Sequence, residues 1–97
     1  MSGWELSPEA LADLQEIWIY IAADNPSAAD KLEAEIFEAF KLLAGHPRLG
    51  HKRPDLTAQD VRFWTVCGHY LIIYRHKTKP LQIVRILHGS RDVRERL

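Results

Sequence analysis

The runs Val61-Arg62-Phe63-Trp64-Thr65-Val66, Tyr70-Leu71-Ile72-Ile73-Tyr74-Arg75 and Leu81-Gln82-Ile83-Val84-Arg85-Ile86-Leu87-His88 decide the fold. Each is rich in β-branched and aromatic residues. The breaks between them, Cys67-Gly68-His69 and His76-Lys77-Thr78-Lys79-Pro80, carry turn-forming residues. That combination reads as three antiparallel strands joined by two hairpin turns. Strict alternation puts Leu71 and Ile73 on one face of the middle strand and Tyr70, Ile72 and Tyr74 on the other. On the last strand it sets Ile83, Arg85 and Leu87 against Val84, Ile86 and His88. Both faces are therefore partly apolar. One must pack on another layer, and the other needs cover from a partner or from the chain's own loop and tail.

Upstream the apolar period changes from two to 3.6. Ser7-Pro8-Glu9 supplies a capping hydroxyl, a proline where its missing N–H costs nothing, and an acid in the first turn. Leu11, Leu14, Trp18 and Ile21, with Ile17 beside them, form one apolar stripe, with Asp13, Glu16 and Asp24 outside it. Asn25-Pro26 stops this helix and starts a second, whose stripe is Ala29, Leu32, Ile36, Phe40 and Leu43. Gly45-His46-Pro47 ends it. So short a link requires an antiparallel helical hairpin. Trp4-Glu5-Leu6 is expected to add an edge strand, and residues 46–60, with Pro47, Gly50 and Pro54, an ordered loop. The expected architecture is α+β in the order β-α-α-β-β-β with a short C-terminal tail or helix, one domain over residues 1–97.

Ninety-seven residues leave room for one small core and exclude a cleft between two lobes. At 46% hydrophobic and 27% charged, the composition excludes a disordered chain, and no apolar run could span a bilayer. The lone Cys67 and the lack of an export signal make a cytoplasmic location the expectation. The formal net charge of zero hides a division. Residues 1–45 hold nine acids and two bases, a surplus of seven negative charges; residues 46–97 hold eleven bases and four acids, a surplus of seven positive ones. Either the halves neutralise each other internally, or the basic half is a surface for an anionic partner.

His46, His51, His69, His76 and His88 lack metal-ligand spacing, so no metal or cofactor is expected. His88 stands out at the end of the last strand near Arg85 and Arg91, where an imidazole could act as base or donor. Ser90 has only Asp92 as a possible acid partner, and there is no GxSxG elbow.

Pro8 to Leu14 leading into Ile17-Trp18-Ile19-Tyr20-Ile21-Ala22, then Asn25-Pro26, Pro47-Arg48-Leu49-Gly50, Arg53-Pro54-Asp55-Leu56 and the ending Arg85-Ile86-Leu87-His88-Gly89-Ser90-Arg91-Asp92 follow in an order that resembles the ParE branch of the RelE/ParE toxins. Those toxins belong to bacterial type II toxin–antitoxin modules. The resemblance covers nearly the whole chain. RelE-type members cut mRNA on the ribosome, and ParE-type members poison DNA gyrase. RelE-type sequences carry an arginine after the first aromatic of the middle strand, a basic residue after the final strand's histidine or glycine, and a tyrosine shortly after. Here those positions read Leu71, Gly89 and Val93. An apolar side chain can neither stabilise a pentavalent phosphate nor orient a 2′-hydroxyl.

The resemblance thus implies a gyrase-directed binding toxin whose target surface includes Arg85, His88, Arg91 and Arg94. The alternatives are a ribosome-dependent endoribonuclease using Arg62, Arg75, Arg85 and His88, and a homologue that has lost toxicity and binds only its antitoxin. It also implies a ParD-like antitoxin contacting Leu14, Trp18, Ile21, Arg62, Trp64, Tyr74 and Arg75 and covering the second apolar face of the sheet. Without that antitoxin, no sequence-specific nucleic-acid binding is expected.

Overall fold

The structure, a computed structural model, describes residues 3–89 and 93–97. Strand β1 (Trp4–Leu6) leads into helices α1 (Pro8–Ala22) and α2 (Pro26–Gly45). Strands β2 (Arg62–Val66), β3 (Tyr70–Arg75) and β4 (Leu81–His88) follow, and then the short helix α3 (Val93–Arg96). The expected β-α-α-β-β-β order is present, and the strands form one mixed four-stranded sheet in the order β1-β4-β3-β2. β2, β3 and β4 pair antiparallel, while β1 runs parallel to β4, with Trp4, Glu5 and Leu6 opposite Leu81, Gln82 and Ile83.

The punctuation of the hairpin is chemical. Ser7 Oγ accepts the Ala10 N–H at 3.0 Å, so one orphan donor of α1 finds a partner, and Pro8 fits the first turn, where it brings no N–H to satisfy. Asn25 N–H closes α1 onto Ile21 O, while Asn25 Oδ1 caps α2 by accepting the Ala28 N–H at 3.1 Å. One residue therefore ends one helix and opens the next. At the β2–β3 turn Cys67 and Gly68 both have positive φ, the backbone that primed hairpin turns demand.

Two apolar clusters flank the sheet. The larger lies under the helical hairpin and joins Leu14, Ile36, Phe40 and Leu43 to Ile72, Tyr74, Ile83 and Ile86. Trp4 closes it by stacking on Phe37 and tilting against Phe40, with ring centroids 5.5 and 4.8 Å apart. The second holds Val61, Phe63, Ile73, Leu87 and Val93, with Leu56, Leu71, Val84 and Leu97 packed against it. Loop and C-terminal residues of the chain itself thus cover the second face, and it is not left for an antitoxin.

The faces of β4 depart from strict alternation. Ile73 is opposite Arg85, yet its neighbour Tyr74 is opposite Ile83, so Val84 is the extra residue of a bulge. The bulge shifts the phase. Ile83 joins Ile86 in the hairpin cluster, whereas Val84 and Leu87 serve the second cluster. The α1 stripe also differs from expectation: Ala10 and Leu14 are buried and Ile17 packs against them, but Leu11 is exposed.

Loop 46–60 is tied down where it passes the sheet. His51 and Phe63 exchange backbone hydrogen bonds of 2.9 and 2.8 Å, a one-residue bridge on the outer edge of β2. Gly50 N–H donates to Tyr74 Oη at 2.8 Å, and that buried hydroxyl donates to Pro47 O at 2.7 Å. A Cβ on Gly50 would lie 2.5 Å from Tyr74 Oη and 2.9 Å from Phe63 O, so the glycine is required by close approach. Gly50→Ala is expected to destabilise the fold by about 1–3 kcal/mol, the usual effect of overpacking. Urea unfolding measures it, and an unchanged midpoint would show that the loop yields.

Candidate functional site

The acidic hairpin and the basic sheet meet at one carboxylate. Asp13, with its side chain 8% exposed, accepts from Arg85 Nε at 2.7 Å, from Arg85 Nη2 at 2.8 Å and from the Ile86 N–H at 3.0 Å. β1 has ended at Leu6, so the edge of β4 beyond Ile83 would otherwise be bare. Ser7 begins the cover: its N–H donates to Ile83 O at 2.9 Å and its Oγ to Val84 O at 2.7 Å. Asp13 completes it. The Arg85 guanidinium, held above its ordinary pKa chiefly by the hydrogen bonds to Asp13, also donates to Arg96 O at 2.7 Å.

The charge division survives folding. Among the described residues, Asp13–Arg85 is the one ion pair that joins the two halves. Lys41–Glu38 stays within the acidic half, and Lys52–Asp60, Lys77–Asp60 and Arg53–Asp55 stay within the basic half. Internal neutralisation therefore does not account for the surplus charges.

The residues expected to carry chemistry do not converge. Arg62 Nη1 donates to Gly50 O at 2.7 Å and so holds loop 46–60, and Arg85 is held by Asp13. His88 is paired with Tyr70 at one end of β3, while Arg75 is at the other end opposite Gln82. Five residues at ~3.4 Å each separate those ends by roughly 17 Å, too far for one scissile phosphate. The His88 ring lies against Tyr70, with centroids 5.4 Å apart, and parallel to His69 at 6.3 Å. Arg91 lies outside the described residues, and Arg94 belongs to α3 with its side chain outside them. Leu71, in the position of the RelE-type arginine, packs against the second cluster, and Val93, in that of the tyrosine, is buried in it.

Among the residues expected to meet an antitoxin, Leu14 and Tyr74 are buried. Trp18, Ile21, Arg62, Trp64 and Arg75 are half-buried. Trp18 Nε1–H bridges the hairpin to Asp30 Oδ1 at 3.0 Å, and Trp64 packs on the hairpin cluster. The exposed apolar surface lies elsewhere on α1: Ile19 is 64% exposed and Tyr20 82%. These two residues and Ile17 border a cleft that reaches Tyr70, Leu87 and His88. Sequence reasoning missed them, although apolar residues at 17, 18, 19, 20 and 21 make the helix apolar beyond one stripe, which signals a second contact.

Among the described residues no group of His, Cys, Asp or Glu could hold a metal ion, and no helix is long and apolar enough to cross a membrane.

The fold defines a small α+β protein with a mixed four-stranded sheet under a helical hairpin, and comparison with known proteins gives its family. The model of the ParE toxin of type II toxin–antitoxin systems, parDE, matches residues 4–93. The chain belongs to this family and is a ParE-type toxin of a type II toxin–antitoxin system. It is 31% identical to Toxin ParE1 of Caulobacter vibrioides over 99 aligned positions, covering 100% of this chain and 99% of that one. A solved structure described as the chromosomal ParDE TA system from P. aeruginosa is similar with a TM-score of 0.71 and 30% identity, over 88% of this chain and 92% of that chain.

Removing the carboxylate in Asp13→Ala strands the Arg85 guanidinium, and breaking such a pair is expected to cost about 3–5 kcal/mol in urea unfolding. Arg85→Met in the same background should recover part of that loss. No recovery would mean that the pair is not what Asp13 contributes.

Proposed function

We propose that this toxin acts by binding DNA gyrase and is neutralised by a ParD-like antitoxin. The observation that carries the binding reading is the packing of Leu71 and Val93. Both positions, polar and catalytic in RelE-type toxins, belong here to the second apolar cluster. The sheet face on which a ribonuclease would work is committed to the core. The surplus positive charge of residues 46–97 and its separation from the acidic hairpin favour an anionic target assembly. Arg91 and Arg94 follow the last strand within this basic half. Arg85 contributes by holding β4 against α1, and His88, the last residue of β4, is offered to the target with them. The toxin works inside the cell, where gyrase and antitoxin are found.

For the antitoxin, the exposed Ile19 and Tyr20 offer apolar anchors beside the cleft, with Trp18 and Ile21 on the same helix supporting them. A segment that folds on binding would lay its own apolar residues there. Arg62 and Trp64 stand opposite Tyr74 and Ile72 on the hairpin face of the sheet, and Arg75 follows Tyr74 on the other face, so acidic antitoxin residues meeting all three would wrap around the edge strand β2.

Purified toxin added separately to gyrase supercoiling reactions and to translating ribosomes with labelled message is expected to stop supercoiling and leave the message intact. Cleaved message with normal supercoiling would overturn the target. In the same series, Ile19→Glu with Tyr20→Glu is expected to weaken antitoxin binding about 30-fold or more, as loss of a central aromatic anchor does. Inhibition of supercoiling should persist in that variant, and unchanged antitoxin affinity would move the docking site off α1.

A further inference from the structure

A second cleft, of about 710 Å³, lies between the chain leaving α2 and the turn that joins β3 to β4, and shares no lining residue with the cleft beside Ile19 and Tyr20. Its charged and titratable lining is His46, Arg48, His76 and Lys77, and no acid lines it. The strongest negative charge nearby, Asp60, is already shared between Lys52 Nζ at 3.1 Å and Lys77 Nζ at 3.0 Å, and these two ammoniums pull its pKa down to about 2. Behind the cleft, Arg62 holds its rim through Gly50 O and Arg48 O. His76, which lines the cleft, has a buried Nδ1 without a hydrogen-bond partner, and so does Arg62 at its Nε. Lys52, Arg62 and Lys77 all act on His76, with Asp60 as the opposing charge. One carboxylate against three cations, with Arg48 beside them, leaves an uncompensated positive site.

We propose that this cleft binds a phosphate group, supplied by a nucleic-acid backbone or a free nucleotide. A guanidinium, an ammonium and two imidazoles offer donors from several directions, which suits the several oxygens of a phosphate better than a planar carboxylate. The volume is that of a small-ligand site and is larger than one ion requires. Burial first, and the Arg62 guanidinium next, hold His76 below its ordinary pKa, so its imidazole is largely neutral at pH 7. A bound phosphate would oppose both effects and draw a proton onto the ring. For a phosphodiester, whose single charge does not titrate in this range, affinity therefore rises as pH falls through the titration of His76, with Arg48, Lys52, Arg62, Lys77 and Asp60 as the surrounding charges and His46 beside them. This site does not depend on gyrase being the target.

The test is an NMR titration of the toxin at constant ionic strength with inorganic phosphate, a mononucleotide, a short single-stranded oligonucleotide, and glutamate as the carboxylate control. Saturable shifts of the amides from Gly45 to Leu49 and of His76 and Lys77, with a raised His76 titration midpoint, are expected for the phosphate ligands. Arg48→Ala with Lys77→Ala should weaken them about tenfold or more, one charge-assisted contact being enough for that factor, while the thermal midpoint stays put. An oligonucleotide that binds more tightly than the mononucleotide and loses affinity steeply with salt identifies a backbone as the source. Equal affinities identify a nucleotide. Glutamate binding as well as phosphate, or shifts that never saturate, would overturn the proposal.

Discussion

A single carboxylate on the buried side of its helix fixes how the helical hairpin meets the sheet in this protein. Asp13 is turned toward the sheet, and its oxygens take two guanidinium donors from Arg85 and the backbone N–H of Ile86. A charge so far from water is tolerable because every contact is a charge-assisted hydrogen bond. Such pairs add less net stability than their geometry suggests, but they fix one arrangement among many. Here they fix where α1 crosses β4. The joint falls just past the Val84 bulge and beyond the end of β1, where the sheet edge has no other strand. A lysine at 85 could not replace the arginine, because the fork presents two parallel donors to one carboxylate.

Much of this was legible in the sequence. Ser7-Pro8 and Asn25-Pro26 are local signals, and each marked its helix boundary because a cap acts within one turn. The strands were legible for the same reason, since β-branched and aromatic runs alternate with turn residues. The bulge at Val84 was not, since nothing local distinguishes it: Ile83, Val84, Ile86 and Leu87 are all apolar, and only the register with Ile73 and Tyr74 assigns them to faces. Asp13 was misread for a related reason. An acid next to Leu14 looks solvated until Arg85, seventy-two positions later, is brought against it. The one clue was its place three residues after Ala10, on the buried stripe.

The same long-range placement reshapes the functional reading. Arg85, conspicuous by sequence as a target or catalytic residue, is committed to Asp13 and Arg96 O. Arg62 is committed to the Gly50 carbonyl, and Tyr74 to Pro47 and Gly50. Burial raises the Tyr74 phenol above its usual pKa, which keeps its proton in place as the donor to Pro47 O. These polar groups build the frame. What the frame leaves outside is an apolar patch at Ile19 and Tyr20 and a largely uncompensated positive charge on the second half of the chain. Those are the two kinds of surface on which protein recognition is built.

The carboxylate joint is tested most directly by native-state hydrogen exchange at the Ile86 amide, followed as a function of denaturant. If Asp13 locks the hairpin to the edge of β4, that amide exchanges only through global unfolding, at the same free energy as the core amides of Ile72 and Ile73. Exchange of Ile86 through a lower-energy opening, with Ile72 and Ile73 still protected, would show that the hairpin lifts from the sheet on its own and would contradict the account.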